Sequence, residues 1–317
     1  MTSSALLLAV TGWKPDAWYN RFRALDPKRD LRVWPDTVGD PASIRYACAW
    51  KPPAGLLASL PNLEFIFSLG AGVDHLLGDP TLPDLPVVRI VDPDLTMRMT
   101  EYVVQHVLNS HRRQHVYDAQ QRARIWKAQD QPPANEVTVG IMGLGVLGRD
   151  AAEVLRRIGF QVVAWTRNPR DEDGIETFHG AAGLGPFLAR TEILVCLLPH
   201  TPETDGILNL DLFRQLRRDG PLGGAYVINA GRGRLQVDAD ILAALEEGSL
   251  TRAVLDVFPV EPLPAESPLW NHPGVTVTPH NAAASEPKAL AAYVLDQIAR
   301  IERGLPPENV IDRKLGY

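Results

Sequence analysis

The chain has 317 residues, of which 45% are hydrophobic and 22% charged, an ordinary globular mixture long enough for about two domains. Its net charge of −6 argues against a general affinity for nucleic acid. No apolar run reaches the roughly 18 residues of a membrane span, so none is expected.

The opening Met1–Val10 lacks a basic flank and a cleavage pattern, so it reads as a first strand rather than an export signal. Cys48 and Cys196 lie in apolar runs and read as buried free thiols rather than a disulfide. Together these features imply a soluble cytoplasmic protein.

Residues 1 to about 100 alternate short strands and helices, the pattern of a small α/β layer structure. The strands are Ala5 to Val10, Leu31 to Trp34, Tyr46 to Trp50, Phe65 to Leu69 and Val87 to Val91; Trp18, Phe22 and Leu25 recur at helical spacing. Glu101 to about Val116 reads as a long helix, followed by a polar irregular stretch around Trp126. From Val137 the alternation resumes, with strands Val137 to Ile141, Gln161 to Trp165, Ile193 to Leu197, Ala225 to Ile228, Ala253 to Val257 and Val275 to Val277. Six strands with interleaved helices fit a doubly wound parallel sheet. Asp238 is placed to cap one helix and Gly248 to end it. A last helix, after Ser285 and up to about Arg303, carries Leu290, Val294, Ile298 and Ile301 on one stripe and is expected to return to the first domain. The predicted division is residues 1–100 with 285–317 as a substrate domain, and 101–284 as an inserted dinucleotide-binding domain. A small-molecule site is expected in the cleft between them.

The glycine-rich stretch supplies the dinucleotide reading. The strand from Val137 runs into Gly143-x-Gly145-x-x-Gly148, and Arg149 to Ile158 reads as a helix. Gly143 permits the tight turn, Gly145 lets a pyrophosphate approach the backbone, and Gly148 lets helix and strand pack closely. Free N–H groups at the helix start then face the phosphates. Gly143, Gly145, Val146, Leu147 and Gly148 are therefore candidate cofactor contacts.

Four further stretches matter together: Phe67-Ser-Leu-Gly70-Ala71-Gly72-Val-Asp74, Asn229-Ala-Gly-Arg232-Gly233, Leu255-Asp256-Val-Phe-Pro-Val-Glu261-Pro262 and Thr278-Pro-His280-Asn-Ala282. With the glycine loop they resemble the D-2-hydroxyacid dehydrogenase family of NAD(P)-dependent oxidoreductases, over nearly the whole chain. Leu69 to Asp74, Glu266-Ser-Pro-Leu-Trp270 and the ending Gly316-Tyr317 look like its glyoxylate/hydroxypyruvate reductase branch. The order Arg, Glu, His, at spacings of 29 and 19 residues, is more specific than any single motif.

The resemblance implies a Rossmann-type domain inserted into a flavodoxin-like α/β substrate domain, and a homodimer. It makes His280 the acid/base that protonates a ketone oxygen while hydride arrives at carbon. Glu261 is its carboxylate partner, favouring the imidazolium. Arg232 anchors the substrate carboxylate through a bidentate fork. The Gly70-Ala71-Gly72 loop binds that carboxylate through backbone N–H groups. Trp50 either walls the substrate pocket or is a core tryptophan. Asp256 and the Ala230 backbone address the nicotinamide carboxamide, and Pro199 and Thr204 belong to a loop over the cofactor. Arg234 reads as a solvated neighbour of Arg232.

Two departures stand out. An NAD site places an acid at the end of the second strand, for the ribose hydroxyls. Here the place holds Trp165-Thr166-Arg167-Asn168-Pro169-Arg170: Thr166 replaces the acid, and Arg167 and Arg170 follow. NADP(H) is therefore the expected cofactor, with NAD(H) possible. The second departure is Asp94 to Met99, where the family often carries Asn in a polar loop before the long helix. No metal is expected: His106, His111, His115, His179 and His200 lack partners for a ligand set and read as exposed. The expected activity is NADPH-dependent reduction of small 2-oxo acids such as glyoxylate and hydroxypyruvate. The rivals are an NAD-dependent dehydrogenase of a bulkier D-2-hydroxy acid and a non-catalytic dinucleotide-sensing scaffold.

Overall fold

The computed structural model describes residues 4–70 and 72–314; Ala71, Gly316 and Tyr317, singled out above, lie outside them. The chain separates into two compact units. One takes the residues up to Leu95 and those from Ala284 onward, and the other runs Thr96–Ala283.

The first unit is built on a parallel sheet of β1 (Ala5–Val10), β2 (Leu31–Val33), β3 (Ile44–Trp50), β4 (Phe65–Ser68) and β5 (Val87–Val88), in the order β2-β1-β3-β4-β5. This is the flavodoxin-like order. The period of two sorts the side chains: Leu6, Leu8, Tyr46 and Cys48 pack in one layer, and Ala5, Leu7, Ala47 and Ala49 in the other. Both faces are covered, which is why the strands read as continuous apolar runs. Helix α1 (Asp16–Leu25) lays Trp18 and Phe22 on the first layer, while Leu25 stays exposed. Helix α2 (Asp74–Leu77) follows β4. The helix Pro287–Glu302 buries Leu290, Val294 and Ile298 in the same layer as α1. Cys48 is free and buried, and desolvation pushes its thiol up.

The long helix α3 (Pro93–His111) starts at Pro93 rather than near Glu101. The Asp92 carboxylate accepts the N–H groups of Asp94 at 2.9 Å and Leu95 at 3.3 Å, and Pro93 sits in the first turn, so Asp92-Pro93 is a start signal. Asp94 to Met99 is accordingly helical and forms no loop. Arg113, at φ 53°, ends the run, and α4 (Gln114–Ala123) restarts it.

In the second unit β6 (Thr138–Met142), β7 (Gln161–Thr166), β8 (Glu176–His179), β9 (Ile193–Cys196), β10 (Tyr226–Asn229), β11 (Arg252–Leu255) and β12 (Val275–Val277) form one parallel sheet. Its order is β12-β11-β10-β9-β6-β7-β8. Strand order reverses at β6, the switch point of a doubly wound fold. The edge strand β8 is one more than expected; its Glu-Thr-Phe-His is half exposed and lacks the apolar run that marks the others. Helices α5 (Val146–Ile158), α6 (Gly180–Leu188), α7 (Leu210–Arg214) and α8 (Asp238–Glu247) cover the sheet's faces together with α3. Helix α5 begins three positions earlier than expected, so Gly148 lies in its first turn. Asp238 does not cap α8: it is the first helical residue and its carboxylate accepts from Gln236 at 2.9 Å. Gly248 does end that helix, at φ 83°. Cys196 is free, and burial pushes its thiol up to about 12.

The histidines of α3 and α4 are not exposed as expected. His106 packs at a tilt against Tyr102 with ring centroids 4.3 Å apart, His111 packs edge-on against Phe160 and accepts from Gln131, and half-buried His115 faces Tyr226. An imidazole has an apolar body, so it can fill a helix-to-sheet interface that its polarity alone would not predict. His200 is half-buried and meets Asp205 at 2.8 Å, while His179 is exposed. Among the described residues no cluster of His, Cys, Asp or Glu could hold a metal ion, and no helix is long and apolar enough to cross a membrane.

Candidate active site

Strands β10, β11 and β12 are parallel neighbours, so their carboxyl ends share one edge of the sheet. The segments leaving them carry Arg232, Glu261 and His280. His280 Nδ1 lies 2.8 Å from Glu261 Oε2. The other carboxylate oxygen accepts the N–H of Phe258 at 3.1 Å, which fixes the orientation of Glu261. A carboxylate on Nδ1 selects the tautomer protonated there and leaves Nε2 for exchange. The His280 side chain is 40% exposed, so a reactant can reach it.

The backbone at His280 is left-handed, φ 52°, a conformation that L residues adopt only when their surroundings impose it. Asp256 imposes it. Its carbonyl accepts the N–H of His280 at 2.8 Å, and its carboxylate accepts the N–H groups of Asn281 and Ala282, each at 3.0 Å, and the Thr278 hydroxyl at 2.6 Å. Asp256 is only 2% exposed. The family role for this residue is toward the nicotinamide; here its carboxylate is engaged by the turn that carries His280.

Arg232 Nη1 donates to the Gly231 carbonyl at 2.7 Å, and its own carbonyl accepts from Asn229. At Gly233 a Cβ would collide with the carbonyl of Phe258, so the Arg232 and Glu261 loops pack backbone to backbone. Ala230 is buried, its N–H on the Cys196 carbonyl. Arg234, read as solvated, is exposed but pairs with Asp205 at 3.0 Å.

The glycines behave as their spacing demands. Gly143 has φ 99°, which permits the turn out of β6, and a Cβ there would press on the Leu197 carbonyl. Gly145 has open space where its Cβ would stand, as a close-approaching phosphate needs. At Gly148 a Cβ would strike the Gly143 carbonyl oxygen. The N–H groups of Val146 and Leu147 belong to the first turn of α5, whose positive end suits an anion. The residues present therefore fit a dinucleotide.

At the end of β7, Trp165 Nε1 donates to the Gly180 carbonyl at 2.9 Å, and the Thr166 hydroxyl to the Asn168 carbonyl at 2.8 Å. Arg167 meets Glu203 at 3.1 Å. Arg170 donates to the Leu144 carbonyl at 2.7 Å, which puts it against the glycine turn. Glu172 bridges Arg149 at 2.9 Å and Arg170 at 3.2 Å. The Thr204 hydroxyl closes its own turn, donating to the Pro199 carbonyl at 2.9 Å and accepting the N–H of Thr201.

In the first unit, Trp50 covers Gly70 so closely that a Cβ on Gly70 would overlap the indole. Trp50 also packs against His75, their rings tilted and 4.7 Å apart. The buried Ser68 hydroxyl reaches the carbonyls of Gly70 at 3.1 Å and Gly72 at 3.0 Å. The Gly70 N–H in turn points back at the Ser68 hydroxyl at 3.4 Å, so Ser68 holds the loop from both its carbonyl and its amide groups. Sequence reasoning missed Ser68, Glu172, Glu203, Thr278 and Tyr102. Thr278 and Ser68 were visible inside quoted motifs; Glu203 and Tyr102 act on residues too distant in sequence for any local signal.

A phosphate cradle and a proton carrier on one sheet edge are what hydride chemistry with a dinucleotide requires, and they define the class as nicotinamide-dependent oxidoreductases. Residues 104–282 match the NAD binding domain of the D-isomer specific 2-hydroxyacid dehydrogenases, and the chain belongs to that family. It is similar to glyoxylate/hydroxypyruvate reductase A of Escherichia fergusonii, 41% identical over 95% of this chain and 96% of that one. A solved probable 2-hydroxyacid dehydrogenase from Rhizobium etli, in complex with NADP, HEPES and L(+)-tartaric acid, is 47% identical. It superposes with a TM-score of 0.94 over 99% of this chain and 100% of that one. The NADPH-dependent glyoxylate/hydroxypyruvate reductase of Sinorhizobium meliloti, solved with NADP and sulfate, is 46% identical, also at 0.94, over 99% and 100% of the two chains.

Proposed function

We propose that the protein reduces small 2-oxo acids, glyoxylate and hydroxypyruvate first among them, to 2-hydroxy acids with NADPH. The observation that carries this reading is the His280–Glu261 pair, 2.8 Å apart on the edge that also holds the glycine cradle. The names of the Escherichia and Sinorhizobium relatives support the substrates, and the NADP complexes of two neighbours support the cofactor. Bound NADPH would supply the hydride to the ketone carbon. His280 gives its proton to the ketone oxygen, so no free alkoxide accumulates. Glu261, on Nδ1, fixes the ring's orientation and leaves Nε2 toward the reactant. Arg232 holds the substrate carboxylate, with the amides of Gly70, Ala71 and Gly72 as a second anion contact and Trp50 as an apolar wall. The glycine cradle takes the pyrophosphate. Arg167 and Arg170 take the ribose 2′-phosphate, with Thr166 in place of the acid that would repel it. Positioning and charge stabilisation are the protein's share of catalysis.

A homodimer in the cytoplasm accords with this reading. Trp126, 101% exposed, and Ile125 beside it are apolar side chains of the kind a partner copy covers. The free thiols suit a reducing compartment. The test is a panel of 2-oxo acids assayed with NADPH and NADH. Turnover of glyoxylate and hydroxypyruvate, with NADPH preferred by at least about tenfold in kcat/KM, is expected. NADH-driven turnover of bulky acids alone would replace the reading, and cofactor binding without turnover would turn it into a scaffold.

A further inference from the structure

We propose that Thr278, with Tyr102 behind it, is a positioning residue for His280, locking the buried carboxylate of Asp256 into the turn that carries the imidazole. The proposal rests on the reading of His280 as proton donor. Three consecutive N–H groups, of His280, Asn281 and Ala282, converge on Asp256, the first on its carbonyl and the next two on its carboxylate oxygens. Successive amides around a left-handed residue make a nest for an anion, and here the anion is a side chain of the same unit.

The donor directions follow from chemistry. An ionised carboxylate only accepts, so the Thr278 hydroxyl, 2.6 Å from Asp256 Oδ1, spends its one proton there. Tyr102 Oη, 2.8 Å from Thr278 Oγ1, is then the donor to that oxygen. The chain runs in one sense, from Tyr102 on α3 through Thr278 to Asp256. It is buried at both ends. Behind the turn lies a groove of about 620 Å³ lined by Tyr102, His106, Thr276, Thr278, Asn281 and Ala282. Ala282 anchors the far end of the turn in the core, and the hydrogen bonds to Asp256 hold the His280 end. Remove the hydroxyl and Asp256 loses its shortest hydrogen bond, Tyr102 loses its acceptor, and the left-handed residue loses part of what imposes its conformation. Nδ1 then departs from Glu261.

The test compares wild type, Thr278→Val, Thr278→Ser and Tyr102→Phe in the reduction of glyoxylate by NADPH. It reads kcat, KM for NADPH and the folded fraction by circular dichroism. Thr278→Val is expected to lower kcat per folded enzyme by at least about tenfold with KM for NADPH within about twofold. Thr278→Ser restores kcat, and Tyr102→Phe falls between. A merely structural residue would lower activity only in proportion to the folded fraction, and that result overturns the proposal. So does a Thr278→Val enzyme with wild-type kcat. If Thr278→Val does not fold, Tyr102→Phe decides by the same split between kcat and KM. A wild type without turnover, or an active His280→Ala, removes the parent reading instead, and is distinguished by being seen without any change at Thr278.

Discussion

The carboxyl edge of the larger sheet has two halves, and their charged groups are held in opposite ways. Beyond β10 to β12 the holding groups are mostly backbone amides: Asp256 is buried beneath those of the His280 turn, joined by the Thr278 hydroxyl, and Glu261 leans on the N–H of Phe258. Beside β6 and β7 the holding groups are mainly carboxylate side chains. Arg167 meets Glu203 with 36% and 70% of the two side chains exposed, while Arg149 and Arg170 share the half-buried Glu172, and Arg170 also donates to the Leu144 carbonyl. Buried hydrogen bonds to a charged group contribute about 1.5–3 kcal/mol and are costly to leave unmade. Exposed ion pairs contribute little and exchange partners readily. One half is therefore set before any ligand arrives. The other is a group of guanidinium ions resting on carboxylates that a phosphate can displace. Chemistry that tolerates little error sits on the rigid half, and cofactor choice sits on the adjustable one.

Substitutions on the rigid half should be severe. His280→Ala is expected to lower kcat by roughly 10²–10⁴-fold while NADPH still binds, checked by single-turnover kinetics beside a fluorescence titration. A variant that keeps more than about a tenth of wild-type kcat would take the proton-donor role from His280. Next in size is Arg232→Lys. Charge is kept but the bidentate fork is lost, so kcat/KM for glyoxylate should fall at least tenfold, about 1.4 kcal/mol in transition-state binding. Glu261→Gln keeps the length of the side chain but loses the anion 2.8 Å from Nδ1, so kcat should fall by at least a few-fold with KM for NADPH unchanged, and a wild-type kcat would mean that another group partners His280.

In both halves the sequence disclosed the working groups better than the groups that support them. His280, Glu261 and Arg232 each follow a short apolar strand, and their spacing was enough to bring them to one edge. The glycine turn was equally legible, because φ at Gly143 and the close approach at Gly148 allow no other residue. What supports these groups was not legible. Asp256 clamps a turn 25 residues further on, and the Tyr102 hydroxyl lies 176 positions from its Thr278 partner. No local pattern reports such pairs. The start of α3 was encoded in Asp92-Pro93, a cap that the apolar periodicity from Glu101 overshadowed. The strand β8 escaped because an edge strand need not be apolar. The buried histidines escaped because burial follows from what a helix packs against.

On the adjustable half the effects should be smaller and selective. Arg167→Ala is expected to remove most of the preference for NADPH over NADH by weakening NADPH alone, measured as the ratio of the two kcat/KM values. Added salt should act the same way on wild type, because an exposed phosphate contact is partly screened. An unchanged ratio in the variant would send the 2′-phosphate to Arg170 or Arg149.

The smallest and most diagnostic change is Glu203→Gln. Glu203 occupies Arg167 at 3.1 Å, so a 2′-phosphate must displace it or share the guanidinium with it. Hydrogen bonds from the Thr201 side chain and from its own backbone, and the charge of Arg167, hold the Glu203 carboxyl below the usual carboxylate range. It therefore stays ionised through neutral and mildly acid pH, and the competition does not switch off within an ordinary assay. Glutamine keeps the shape and drops the charge. The expected result is a gain in kcat/KM for NADPH of about two- to fivefold, the scale of a screened surface pair, with NADH unchanged. The gain should hold from about pH 6.5 to 9 and shrink below about pH 6, where the 2′-phosphate itself takes up a proton. Combined with Arg167→Ala, it should vanish, because Glu203 would have nothing left to compete for. A Glu203→Gln enzyme that gains equally with NADH, or that gains in the absence of Arg167, would mean that the carboxylate acts on the loop at Pro199 to Thr204 and not on the arginine.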